Sequence, residues 1–206
     1  MGFMRSESGI ANDLYKMFHV LFGGLKGGLA IGTMFMMVAI SAMNGLSVAG
    51  MAIGATIALP EMLKRNYDKR MITGVVQAGS SLGILIPPSV VMVLYGMIAR
   101  QPVSKLWMAG ILPGLLMASL FLIYIYVRCK LQPELGPPLK KEERNITTAE
   151  KISLLKAGII PFLIFFFMTG LFLMGIASLV ECSAVGAFLA TLAAIYKKRF
   201  NKKVLE

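Results

Sequence analysis

Long apolar runs, separated from one another by short polar and basic stretches, constrain this chain more than any other feature. A membrane-crossing helix needs about 20 consecutive apolar residues. Residues 28–60, 70–99, 106–127 and 157–196 each reach that length with almost no charge inside them. Hydrophobic residues make up 57% of the chain and charged residues 15%, whereas a soluble domain has about a quarter of its residues charged. Too few polar side chains remain to cover a water-facing surface. The sequence predicts an all-α integral membrane protein.

The net charge of +11 suggests nucleic acid as one possible partner. The Lys and Arg residues sit instead in clusters between the apolar runs, which is how membrane topology is signalled, so no nucleic-acid partner is expected. If residues 28–60 enter and leave on one side, residues 1–27, 61–70, 128–156 and 197–206 share a face. That face holds 19 of the 21 Lys and Arg, with only Arg100 and Lys105 opposite. If the block crosses, the split is 16 to 5. Either way, residues 61–70, the 128–156 loop and the C-terminus are expected in the cytoplasm. The setting is a multi-pass protein of the bacterial inner membrane, with no cleavable signal peptide expected.

Residues 1–27 place Ile10, Leu14, Met17, Phe18 and Leu21 on one helical stripe. They read as an amphipathic arm, either in the membrane interface or packed on protein. Residues 28–60 are long for one span and short for two. Asn44-Gly45, a strong turn signal, divides them near the middle. They form either a re-entrant hairpin with its tip at Asn44-Gly45 or one long tilted helix. Residues 61–99 are a cytoplasmic turn and a transmembrane helix interrupted at Pro87-Pro88. Neither proline has an N–H, and the residue before a proline avoids the α region. A broken helix is favoured there over a kinked one. Residues 100–127 contain a further span, with Pro113 as a kink and Trp107 near an interface. Residues 128–156 are a polar, proline-rich loop in which Thr147 and Glu150 have capping-box spacing. Residues 157–206 form a helix pair with a basic tail, and Glu181 falls at the wet turn between the two helices.

No catalytic constellation is present. His19 has no nucleophile to serve. Cys129 and Cys182 have neither disulfide nor metal-ligand spacing. The chain is not expected to be an enzyme. What it offers is two interrupted membrane segments. Such breaks place free carbonyl oxygens and helix N-termini at depth, as in secondary transporters that bind Na⁺ and anionic groups. The cation-binding candidates are Asn44, Gly45 and Ser47 at the tip, with Gly83, Ile86 and Pro88 at the break. Ser80, Ser81 and Ser89 are the substrate-side candidates. Na⁺, held by neutral oxygens, is the only metal expected, as coupling ion, and no other cofactor is expected. Close packing by small residues is the competing explanation for these glycines and serines, and the better one for Gly50 and Gly54.

The runs SVAGMAIGATIALPEMLKRNYDKR, AGSSLGILIPPSVVMVLYGMI and LWMAGILPGLLMASLFL, in this order and spacing, resemble the large membrane subunit of TRAP transporters. These are the tripartite ATP-independent periplasmic systems, of which the DctM-like C4-dicarboxylate permeases are members. Glu181-Cys182-Ser183-Ala184-Val185-Gly186 is similar to the family's Thr-Glu-Ala stretch, with Val180 and Cys182 departing from it. At the tip the family's Ser-Gly-Ser-Ser is replaced by Asn44-Gly45-Leu46-Ser47, so that Leu46 takes the place of a hydroxyl.

The resemblance implies an elevator-type transporter half with one re-entrant helical hairpin, one broken helix and three further transmembrane helices. It implies Na⁺-coupled import of organic anions such as C4-dicarboxylates or sugar acids. The partners it implies are a periplasmic substrate-binding protein, a small TRAP membrane subunit and a second repeat of the large subunit. The family's large subunit is about twice this length. Met1-Gly2-Phe3-Met4 reads as the tail of a preceding helix, and the expectation is a chain of about one repeat that does not transport alone. A non-transporting membrane scaffold or an inactive truncated product is the alternative.

Overall fold

The computed structural model describes Tyr15, Met17, Phe18, residues 21–138, Leu163, Phe166, Phe167 and residues 169–196. Within these, the side chains of Met43, Asn44, Leu179, Ser183 and residues 190–196 lie outside the description. So do His19, most of the N-terminal arm, the Thr147–Glu150 capping box and the basic tail. Every regular element among the described residues is helical.

Helix α1 (Gly28–Asn44) follows a glycine-rich turn and ends at Gly45, whose φ of 67° is left-handed. The Gly45 amide bonds back to the Ser41 carbonyl at 2.8 Å, a common way to close a helix with glycine. Leu46 is extended, and α2 (Ser47–Lys64) starts immediately after it. Each helix is about 26 Å long at 1.5 Å per residue. The apolar block ends at Pro60, yet α2 continues through that proline to Lys64. Glu61 pairs with both Lys64 and Arg65, three and four residues on, which supports the last turn.

Asp68 caps α3 (Lys69–Ser81), accepting the amides of Arg70 at 2.9 Å and Met71 at 3.2 Å. The helix buries Met71, Ile72, Val75, Val76, Gly79 and Ser80, a single stripe at helical spacing. Helix α1 is the centre of the described core. Its Leu29, Met34, Met36 and Met37 are fully buried. A Cβ added at Gly54 of α2 would lie 2.6 Å from the Met37 sulfur, and one at Gly79 of α3 would lie 2.4 Å from the Met37 Cβ. Small residues on the outer helices thus let both backbones close on α1.

A 3₁₀ turn (Leu82–Ile84) follows α3, and α4 (Val90–Ala99) begins only after an irregular stretch from Leu85 to Ser89. Helix α5 (Val103–Leu131) runs unbroken through Pro113. Among the described residues it is the one helix long and apolar enough to cross a membrane. Leu112, Leu116, Leu120 and Ile123 on it are exposed, an apolar surface that water would not tolerate and lipid would. Helix α6 (Leu179–Tyr196) begins with a capping box. The Glu181 carboxylate accepts the Ser178 amide at 2.7 Å, and the Glu181 amide bonds the Ser178 hydroxyl at 3.4 Å. Glu181 therefore serves a helix start, exposed to its surroundings.

Candidate functional site

The break is a consequence of two missing donors. In an unbroken helix the residues at 87 and 88 would donate to the carbonyls at 83 and 84. Pro87 and Pro88 have nothing to donate. The Ser89 hydroxyl takes over one of these bonds, reaching the Ile84 carbonyl at 2.6 Å. The same oxygen accepts the Met92 amide at 3.3 Å and so caps α4. Ser89 is fully buried, and its own carbonyl accepts the Trp107 indole N–H at 3.3 Å. The carbonyl oxygens of Leu85, Ile86, Pro87 and Pro88 accept no hydrogen bond from any described residue. Four acceptors are thereby collected in one short stretch.

The hairpin tip closes on this stretch. The Val90 amide, first in α4, donates to the Gly45 carbonyl at 3.2 Å. A Cβ on Gly45 would come within 2.6 Å of the Pro88 carbonyl oxygen. Glycine is required there twice, by the left-handed φ and by the approach of Pro88. Gly45, Pro88 and the start of α4 are therefore one structural unit. Asn44 is the last residue of α1 and Ser47 the half-buried first residue of α2. Gly83 is buried against Ser41, and Ile86 packs on Gly114 of α5. The structure thus brings Gly45, Gly83 and Pro88 together around the tip, and places Ile86 toward α5.

The three substrate-side serines are already engaged. Ser80 donates to the Val76 carbonyl at 2.8 Å, Ser81 to Ala78 at 2.8 Å, and Ser89 to Ile84. Their protons are committed to backbone carbonyls, so each oxygen has only lone pairs left, one of which Ser89 already gives to the Met92 amide. Lone pairs suit a cation and repel an anion. The opposite character appears at the start of α2. No side chain caps it, and Leu46 and Val48 beside it are exposed. Its first amides carry the positive end of the helix dipole.

Sequence reasoning misses Ser41. Its hydroxyl is fully buried and has no hydrogen-bond partner among the described residues. It faces both α2 and the break: a Cβ on Gly50 would fall 2.2 Å from its oxygen, and one on Gly83 would fall 2.7 Å from its Cβ. A buried hydroxyl without a partner costs about 1–3 kcal/mol. The signal available in sequence was a serine one turn before Asn44-Gly45. Trp107 has a role that sequence reasoning does not give it: it is 4% exposed, donates to the Ser89 carbonyl, lies against Phe172 and so braces the break. No titratable side chain occurs in residues 41–50 or 80–89, so whatever binds there meets neutral oxygens and amides.

A helical hairpin docked by its tip onto an unwound joint, beside a helix with an apolar outer surface, defines a helical membrane protein with a helix-break site. The chain belongs to the family described as tripartite ATP-independent periplasmic transporter, DctM component, which matches residues 1–205. It is similar to the C4-dicarboxylate TRAP transporter large permease protein DctM of Pseudomonas aeruginosa, 34% identical over 64% of this chain and 31% of the relative. The isethionate TRAP transporter permease protein DctMQ of Oleidesulfovibrio alaskensis is 31% identical over 71% of this chain and 23% of that protein. The 2,3-diketo-L-gulonate TRAP transporter large permease protein YiaN of Escherichia coli is 27% identical over 96% of this chain and 45% of its own length. The chain thus spans less than half the length of these relatives, all of which are transporter permeases.

Proposed function

We propose that this chain carries the ion-binding hairpin tip and helix break of a Na⁺-coupled, binding-protein-dependent permease for organic anions. The observation that carries the reading is the closure of Gly45 onto Pro88 and Val90. It sets the Pro88 carbonyl oxygen, which accepts no hydrogen bond from any described residue, against the tip one turn after the buried Ser41 hydroxyl. A hard cation is satisfied by several neutral oxygens at once, and these groups have no other satisfaction at membrane depth. Gly45, Pro88 and Ser41 form the proposed inner ligand set. Asn44, Ser47 and Gly83 stand around it, and Ile86 lies on the side facing α5.

The chemistry divides the two charges. Ser80, Ser81 and Ser89 have spent their protons and support the cation side. A carboxylate needs donors, and the uncapped start of α2 at Ser47–Ala49 supplies them. A bound cation close by would strengthen that attraction, which couples the two ligands. The relatives named for C4-dicarboxylate, isethionate and 2,3-diketo-L-gulonate support organic anions as the class. A periplasmic substrate-binding protein, a small membrane subunit and a second repeat are the proposed partners. Re-entry of the 28–60 hairpin, a cytoplasmic C-terminus and elevator motion complete the proposal.

Trp107 is the only tryptophan, and its indole N–H is bonded to the break. Its emission therefore reports on the site. In nanodiscs, Na⁺ should shift that emission saturably while K⁺ and choline at equal ionic strength do not. An emission change that follows ionic strength alone would remove the cation site from this account.

A further inference from the structure

Away from the tip, a cleft of about 780 Å³ opens between α3 and α5. Asp68, Arg70, Arg128 and Gln132 line one end of it, and Met71, Val75, Ala78, Leu120, Phe121 and Tyr124 line the rest. The polar end coincides with the basic ends of both helices. Arg70 to Ala78 and Arg128 to Leu120 are each eight residues, about 12 Å along the helix. One leaflet of hydrocarbon is about 15 Å. The cleft is therefore charged at headgroup level and apolar for most of one leaflet.

The charge is unbalanced. Among the described residues, neither Arg70 nor Arg128 has a carboxylate partner. The one acid in the lining, Asp68, is occupied by the Arg70 and Met71 amides. A Cβ on Gly74 would meet nothing within 4 Å, so the wall is recessed where an occupant would lie. We propose that this cleft is a binding site for an anionic glycerophospholipid, its phosphate held by Arg70 and Arg128 and its acyl chain along Val75, Ala78, Leu120 and Phe121. Guanidinium groups bind phosphate oxygens in a two-pronged geometry. Paired basic residues above an apolar groove between membrane helices are the pattern that anionic headgroups recognise. An apolar partner helix would strand both charges, and a water-soluble anion would leave the apolar wall unused. The site shares no residue with the tip and break.

Native mass spectrometry of the detergent-purified full chain tests this with phosphatidylglycerol and phosphatidylcholine as probes. Phosphatidylglycerol adducts should exceed phosphatidylcholine adducts on the order of tenfold, as two arginines at the headgroup end imply. R70Q/R128Q should bring the two to the same level, and R70K/R128K, which keeps the charge without the two-pronged geometry, should restore the preference only in part. G74L fills the recess with a good helix former, and should abolish the adduct while leaving the melting temperature no lower. A photo-reactive phenylalanine at Leu120 should capture lipid. Equal adducts in the unmodified chain, an adduct that survives G74L, or capture of a polypeptide at Leu120 would each overturn the proposal.

Discussion

The Val90 amide donates to the Gly45 carbonyl at 3.2 Å, and so the tip of one helical hairpin completes the N-terminus of the helix after the Pro87-Pro88 break. Neither element is finished without the other. Movement of the hairpin by even 1 Å would break this bond and alter the carbonyl cluster at Pro88. A ligand bound at either element is therefore felt at both.

Gly45→Ala should be damaging. It forces a β-carbon into a left-handed φ, about 1–2 kcal/mol by itself. It also places that carbon 2.6 Å from the Pro88 oxygen. We expect a lower melting temperature and a loss of the Trp107 response to Na⁺. A Gly45→Ala protein with unchanged stability would mean that the tip does not sit against Pro88.

Ser41 and Gly50 should be energetically coupled. Gly50→Ala drives a methyl group to 2.2 Å from the Ser41 oxygen and should destabilise by about 1–3 kcal/mol, as overpacking does. Ser41→Ala removes the orphaned hydroxyl and should be neutral or stabilising. The double variant should recover most of the Gly50→Ala loss, since the remaining Ser41 Cβ is 3.3 Å away. Chemical or thermal unfolding of the four proteins gives the coupling energy. Strict additivity would separate these two residues.

The helix-to-helix turn and the break are both legible in sequence because their causes are local. Asn-Gly announces a left-handed backbone position, and Pro-Pro deletes two donors wherever it stands. The extension of α2 through Pro60 is less legible, since it depends on Glu61 pairing with Lys64 and Arg65. Ser41, Trp107 and the α2 start are not legible as site residues. Their roles come from what lies across the interface: Gly50 and Gly83 against Ser41, the Ser89 carbonyl against Trp107, and the absence of any side-chain cap at Leu46. Residue type says that the serines at 80, 81 and 89 can donate, and only the fold shows which carbonyls take their protons.

Sidedness follows from the basic ends of α2, α3 and α5. In a cysteine-free background, cysteines at Lys64 and Arg128 should resist an impermeant thiol reagent applied to intact cells. One at Arg100, which is exposed at the opposite end of α4, should react. Labelling at Lys64 or Arg128 from outside would invert or dismantle the topology, and a protected Arg100 would do the same.

The central claim is that the Gly45 tip and the Pro88 break form a cation site. Scintillation proximity binding of radioactive ²²Na⁺ to the purified chain measures this directly. The account predicts saturable binding that unlabelled Na⁺ displaces and K⁺ does not. Ser41→Ala should weaken it, Gly45→Ala should abolish it, and Gly74→Leu in the distant cleft should leave it unchanged. Absence of saturable binding in the unmodified chain, or binding indifferent to Gly45→Ala, would contradict the account.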